Sequence, residues 1–256
     1  TAISYNNLGI IYNEQAQYDK AIEFHQKAID ILLAIFGDDY PDLANSYQGI
    51  GNAFKEKGQM DQAMQYYQKA YSIRKKSFSE NHPLVAKDLI NIAIIYTEKG
   101  DFDNAMNYFQ LALSIQKQIL GENHPDLAMT YNNLGNIYNI DGQYDLALAF
   151  YLNALNIKKS IVGEDHPEIA DYYTNIGNIY LKKAQYEESL NYQKKALDIK
   201  IRFYGQKHPA VVLPYLNIGN IYYEQADFDI ALDYYQKSIA ANVKNFNPEP
   251  NSKYID

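Results

Sequence analysis

Cysteine is absent from the 256 residues. That removes any disulfide framework and makes a reducing compartment, the cytoplasm, the simplest setting. Basic runs are absent too. Lys and Arg number 23 against 31 Asp and Glu, a net charge of −8. Without clustered cations to displace counterions, nucleic acid is a disfavoured partner. No apolar run approaches the roughly 20 residues that span a bilayer, so no membrane partner is expected. No signal peptide opens the chain, and because it opens inside a repeating pattern it reads as part of a longer protein. Catalytic signatures are missing as well. There is no Gly-x-Gly-x-x-Gly and no Gly-Lys-Ser/Thr phosphate loop, and Gly49-Ile50-Gly51 falls mid-helix. Carboxylates are scattered on solvated faces, and no Ser/His/Asp set stands out. A non-enzyme without a cofactor is expected.

What is present is one unit written six times. Glycine or alanine recurs every 42 residues at Gly9, Gly51, Ala93, Gly135, Gly177 and Gly219. Pro41, Pro83, Pro125, Pro167 and Pro209 keep the same step, as do Ala28, Ala70, Ala112, Ala154 and Ala196. A fixed period of this length is the signature of a solenoid, in which each unit covers the apolar face of its neighbour. The array is expected over residues 1–245, with copies starting near 1, 41, 83, 125, 167 and 209, and an irregular tail over 246–256.

Within the fourth copy, Tyr131, Leu134, Gly135 and Tyr138 follow the i, i+3, i+4, i+7 spacing of an amphipathic helix. The first copy repeats it with Tyr5, Leu8, Gly9 and Tyr12. This first helix is expected to start at the proline, whose missing N–H has no partner there anyway. It is expected to stop near Gly58, Gly100 or Gly142, with Ala16, Ala184 and Ala226 in the other copies. A second helix carries Tyr144, Ala147, Phe150, Tyr151, Ala154, Leu155, Ile157 and Ile161 and ends at Gly163; Gly37, Gly121 and Gly205 match, and Ser79 is the exception. The 26 tyrosines fall mostly at these packing positions.

Two places break the rule. Pro214 lies five residues beyond Pro209, so the first helix of the sixth copy should start late or kink, since an interior proline costs about 3 kcal/mol. After about Asn245 the pattern dissolves into Asn247-Pro248-Glu249-Pro250-Asn251, with no polar capping helix. Four of the five histidines repeat just before a proline. They sit in separate loops one repeat apart, so a metal site is not expected. The residue before proline is pushed to extended geometry, which suits a helix N-cap, and Tyr40 fills the same place without an imidazole. His25 falls at a core position.

Leu8, Gly9, Tyr12, Ala21 and Ala28 match the tetratricopeptide pattern of small and aromatic residues. The 42-residue form, with the links Gly121-Glu122-Asn123-His124-Pro125 and Gly163-Glu164-Asp165-His166-Pro167, resembles the repeats of kinesin light chains. The resemblance covers nearly the whole chain. It implies an all-α, tetratricopeptide-type helical-hairpin solenoid of six repeats, a right-handed superhelix whose first helices line a concave groove that holds peptides.

Residues opposite the apolar stripe of each first helix are the candidates for that groove. At about 100° per residue they are the third, seventh, tenth and fourteenth of each copy. Ten of these 24 are asparagine, against 15 of 232 elsewhere. Asparagine is a poor helix former, so the excess asks for a reason. An amide carries both a donor and an acceptor, and a ladder of them can pair with the backbone of an extended peptide. Part of the excess can equally be structural. The expected peptide-binding residues are Asn7, Asn52, Lys87, Asn91, Asn133, Asn136, Asn175, Asn178, Asn217 and Asn220. Ile10, Ile94, Met129 and Leu213 are expected to seat apolar side chains. The same stripe carries Glu14, Glu56, Glu98, Asp171 and Glu224 against Lys87 and Lys182, which favours a neutral or basic segment over an acidic one. Chaperone-binding tetratricopeptide domains hold a carboxylate with several basic residues, and kinesin light chains favour acidic cargo; neither property is implied for this face. The function expected is that of an adaptor or scaffold, with a place in a motor–cargo complex as its narrower form. The alternative is a structural spacer that self-associates through uncapped terminal repeats.

Overall fold

A computed structural model describes residues 1–242; the irregular tail expected over 246–256 lies outside the described residues. Contacts cluster into two compact units, one from Thr1 to Ile137 and one beginning at Tyr138. Both are built from helices alone among the described residues, of which helix accounts for 82%. The first unit holds the hairpins α1 (Ala2–Glu14) with α2 (Tyr18–Phe36), α3 (Leu43–Glu56) with α4 (Met60–Ser77), and α5 (Pro83–Glu98) with α6 (Phe102–Leu120). Helix α7 (Asp126–Ile140) runs through the division. The second unit holds α8 (Tyr144–Val162), then α9 (Pro167–Lys182) with α10 (Tyr186–Tyr204), and α11 (Val212–Glu224) with α12 (Phe228–Asn242).

The same aromatic pair closes every hairpin. Tyr12 stacks on Phe24 at 5.1 Å between ring centroids, Phe54 on Tyr66 at 5.5 Å and Tyr96 on Tyr108 at 5.5 Å. In the second unit Tyr138 meets Phe150 at 5.2 Å, Tyr180 meets Tyr192 at 5.5 Å and Tyr222 meets Tyr234 at 5.8 Å. Such pairs add about 0.5–1.5 kcal/mol beyond the area they bury. Across the turn, the small residue of the first helix lies under a large one of the second. A methyl group on Gly51 would sit 2.7 Å from the Tyr67 ring, and one on Gly177 would sit 2.7 Å from Gln193 Nε2. Ion pairs join successive repeats: Lys57 to Asp19, Lys99 to Asp61, and Lys183 to Asp145.

The helix ends follow local chemistry. Gly58, Gly100 and Gly142 take left-handed backbone, with φ of 73°, 75° and 76°. Ala16, Ala184 and Ala226 are forced into the same region at 56°, 56° and 63°, which costs an alanine roughly 1 kcal/mol. Proline occupies the first position of α5 and α9, as expected, but α3 and α7 open one or two residues later. Pro214 delays its helix: Pro209–Val211 forms a separate 3-10 turn, and α11 starts at Val212, placing the proline in the first turn. There its lost N–H had no intrahelical partner to lose.

The pre-proline histidines cap these helices, and the ring takes a direct part that backbone geometry alone did not suggest. His82 Nδ1 accepts from the Leu84 N–H at 3.2 Å, His124 from Asp126 at 3.2 Å, His166 from Glu168 at 3.3 Å and His208 from Ala210 at 3.1 Å. Tyr40 is therefore not an equivalent substitute. It stacks on Phe36 at 4.2 Å instead, and α3 opens only at Leu43. Phe78 and Tyr204 stack on His82 and His208 in the same manner. Ile161, counted with the apolar positions of α8, is exposed.

Candidate functional site

The stripe opposite the apolar face of each first helix is graded along the helix. Its ends are open: Ile3, Glu14, Asn45, Glu56, Lys87, Glu98, Met129, Ile140, Asp171, Lys182, Leu213 and Glu224 are exposed. Its middle is more enclosed. Asn52, Asn91, Asn133, Asn136, Asn175, Asn178 and Asn220 are half-buried, while Asn7 and Ile10 on α1 are exposed.

Two positions depart from an open stripe. Gly49 is buried where other copies carry an amide, and Asn217 is only 8% exposed and donates its Nδ2 to Gln193 Oε1 at 3.3 Å. Asn217 is thus spent on packing between α10 and α11, and a ligand would have to displace that bond to reach it.

Three of the half-buried amides are held by a donor on the second helix. The Tyr67 hydroxyl donates to Asn52 Oδ1 at 2.8 Å, Gln193 Nε2 donates to Asn178 Oδ1 at 2.9 Å, and the Tyr235 hydroxyl donates to Asn220 Oδ1 at 2.9 Å. In each case the donor stands fifteen residues on, in the second helix, and reaches across the small residue of the first. Sequence reasoning missed these three donors. A signal was there: where that place holds Phe109, which has no polar tip, the amide position holds Ile94. With its oxygen held from within the protein, an amide still has both N–H groups to offer. Asn91 Nδ2 is shielded from solvent and has no partner among the described residues.

Clefts open on this face in both units. In the first, a cleft of about 300 Å³ is lined by Ile3, Asn6, Asn7, Leu32, Asn45 and Ser46. A second, of about 390 Å³, is lined by residues that include Leu84, Lys87, Ile90, Gln116, Leu120 and Met129. In the second unit a cleft of about 560 Å³ is lined by Leu181, Lys182, Asn220, Tyr223, Glu224 and Tyr235. The charges are partly neutralised within the protein. Glu56 pairs with Lys55 at 2.9 Å, Asp171 with Lys200 at 2.8 Å, and Lys182 donates to Asn139 Oδ1 at 2.9 Å. Glu14, Glu98 and Glu224 make no ion pair among the described residues.

Below the stripe lie two buried polar groups. His25 is fully buried, with Nδ1 2.8 Å from Asn6 Oδ1 and Nε2 unpartnered. Burial pushes its imidazole down to about 4. Asp88, also fully buried, is held by the Arg74 guanidinium, yet burial still pushes its carboxyl up to about 6. Among the described residues, no three or more His, Asp or Glu side chains are disposed to hold a metal ion, and no helix is long and apolar enough to cross a membrane.

The tetratricopeptide repeat family matches residues 1–76, 56–118, 86–160, 126–201 and 168–242. The chain belongs to the tetratricopeptide repeat family. Its fold is shared with BtubC (BKLC) from P. vanneervenii, at TM-score 0.76 and 21% identity over 94% of each chain. A Podosopora anserina kinesin-light-chain-type protein with nearly identical TPR-like repeats matches at TM-score 0.66 and 19% identity, over 78% of this chain and 95% of that one. The apo form of RapI matches at 0.67 and 19%, over 95% and 84%. No curated protein sequence matches. Tetratricopeptide repeat proteins are generally non-catalytic scaffolds that bind proteins or peptides, and the repeat fold of this chain implies a protein–protein interaction scaffold.

Proposed function

We propose that this tetratricopeptide repeat protein is an adaptor whose first-helix faces hold an extended, neutral or basic peptide segment. The observation that carries the reading is the oriented amide. In Asn52, Asn178 and Asn220 a donor on the second helix, buried Tyr67 or Gln193 or half-buried Tyr235, holds Oδ1, so the N–H groups are left for a ligand. Groups aimed in advance lose little rotamer freedom on binding, which is where flexible polar contacts forfeit affinity. They suit the carbonyl oxygens of a peptide backbone, which every sequence presents. Asn7, Asn91, Asn133, Asn136 and Asn175 extend the set, and Lys87 stands beside Asn91 one turn earlier on α5.

Side-chain choice comes from the rest of the stripe. Ile3, Ile10, Met129 and Leu213 are exposed apolar groups beside the amides. Exposed apolar patches of this kind mark interaction surfaces. Unpaired Glu14, Glu98 and Glu224 repel an acidic segment and attract a basic one. A kinesin-light-chain-type neighbour makes a motor–cargo complex the narrower version of the same role.

Panning the intact chain against a random peptide display library tests the reading. Neutral or basic peptides carrying aliphatic residues should be enriched, and an Asn52→Ala/Asn91→Ala/Asn133→Ala variant of unchanged helix content should lose them. Enrichment of acidic peptides, or undiminished capture by the triple variant, contradicts it.

A further inference from the structure

Two third residues of the stripe are held by the side chain 29 positions on, in the second helix. Lys200 reaches Asp171 at 2.8 Å, and Arg74 Nη2 donates to Asn45 Oδ1 at 2.7 Å. Arg74 is buried and is itself fixed, by buried Asp88 and by Gln48 Oε1 at 2.9 Å. Asn45 is exposed, and its Nδ2 has no partner among the described residues. Asn6 on α1 is held from the other side. Its Oδ1 accepts from Ser46 Oγ at 3.1 Å and lies 2.8 Å from His25 Nδ1. A ring with its proton on Nδ1 donates to that same oxygen. Asn6 Nδ2 is likewise without a partner among the described residues.

Both amides line the cleft of about 300 Å³ between α1 and α3. Leu32 and Asp42 line it too, and the exposed Asp42 carboxylate makes no ion pair among the described residues. This cleft does not follow from where α1 begins. The same cleft opens between α5 and α7, although α4 packs against α5 there. In it Lys87, Ile90, Gln116 and Met129 take the places of Ile3, Asn6, Leu32 and Asn45. Only the first of the two clefts presents amides.

The lining selects its guest by what it rejects. Two amides whose oxygens are held present N–H groups, which disfavour a cation. The Asp42 carboxylate disfavours an anion. A carboxamide is neutral, accepts from the amides through its oxygen and donates to the carboxylate through its NH₂. We infer that the cleft is a subsite for a glutamine or asparagine side chain of the bound segment, with Leu32 under its aliphatic stem. Asn6 and Asn45 contact the guest, and Arg74 is a positioning residue that acts through Asn45. The subsite lies on the first-helix stripe and rests on the reading of that stripe as a peptide surface.

The test adds N-acetylglutamine methylamide, or its glutamate counterpart, to the ¹⁵N-labelled 256-residue chain and follows the side-chain NH₂ signals of Asn6 and Asn45. The two probes share a backbone and differ only in the terminal group. Both signals should shift with the glutamine derivative, and the glutamate derivative should bind roughly two- to tenfold more weakly. Asp42→Asn, at an exposed site, should narrow that gap. Arg74→Leu/Asp88→Ser copies the Leu32 and Ser46 found at the preceding junction, and exchanging a buried ion pair for less polar residues is often tolerated. It should keep the helix content and weaken the glutamine derivative roughly two- to tenfold, because Asn45 is no longer held. Asn45→Ala, at an exposed site, should weaken it as much without touching the core. Equal binding of the two derivatives, a gap unmoved by Asp42→Asn, or full affinity in Asn45→Ala overturns the inference. The probes are free amino-acid derivatives. Failure here leaves capture of library peptides standing, and failure of that capture leaves these shifts to be read on their own.

Discussion

The first and fifth repeats solve one packing problem in two ways. Both place a polar residue where most copies have an aromatic, His25 in one and Gln193 in the other, and both lay it over a glycine of the first helix. Gln193 is satisfied throughout. Its Nε2 donates to the Thr174 carbonyl at 3.1 Å and to Asn178, and its Oε1 accepts from Asn217 on the next first helix. His25 has one bond, to Asn6, whose oxygen also accepts from Ser46 at 3.1 Å. Its Nε2 has none, and the next first helix offers only Gly49. The comparison shows what the seventh residue of a repeat is for. An amide there serves the junction when a polar partner stands behind it, as with Asn217. Where the His25 ring fills the space, Gly49 is needed, because a methyl group there would meet the imidazole.

Gly49→Ala should have the largest effect on that contrast. A methyl group would sit 2.3 Å from the His25 ring, which is buried and cannot withdraw. A loss of about 1–3 kcal/mol is expected in urea unfolding. Transplanting the fifth-repeat arrangement, His25→Gln with Gly49→Asn, should recover most of it; if the double variant is no better than Gly49→Ala, the contrast is misread.

The pH response comes next. An unfolded imidazole near 6.5 takes up a proton before the folded one at about 4, so the His25 contribution is lost as pH falls through that window. Asp88 works in reverse. Its folded carboxyl, at about 6, holds a proton more tightly than the unfolded one near 3.8, so its contribution grows as pH falls. The two oppose each other, and only a difference measurement separates them. His25→Gln should gain stability relative to the parent between pH 7 and 4.5, by at most roughly 3 kcal/mol. An unchanged difference at the two pH values would mean the ring is less buried than described.

Ala184→Gly should give the smallest change. It relieves left-handed backbone at φ 56° but adds freedom to the unfolded chain, for a net gain of roughly 0.5 kcal/mol in thermal or urea unfolding. Asp101, which caps α6 through the Asn104 N–H at 3.2 Å, follows a glycine at the equivalent turn and marks the unstrained version.

Most of the fold was legible in the sequence because the period does not depend on fine geometry. A 42-residue step in Gly9, Pro41 and Ala28 locates helix starts, stops and close approaches, and even the delay at Pro214 follows from one missing N–H. Less of the candidate site was legible. Counting asparagines placed them on one stripe, but a count treats the seventh and tenth positions alike. The tenth is oriented by a donor fifteen residues away in another helix, and the seventh depends on what fills the junction behind it. Asn217 belongs to the packing for that reason, and no property of Asn217 itself reveals it. The histidine caps show the same limit. Proline fixes the extended backbone before it, whereas acceptance by Nδ1 depends on ring orientation.

The central claim is that the oriented amides face a ligand. It is tested most directly by following the side-chain NH₂ signals of ¹⁵N-labelled protein while a peptide selected from the library is added. The signals of Asn52, Asn178 and Asn220 should shift in proportion to bound peptide, while those of Asn153 and Asn191, exposed on the second helices α8 and α10, stay in place. Shifts confined to the second-helix asparagines, with the first-helix amides unmoved at saturation, would contradict the account.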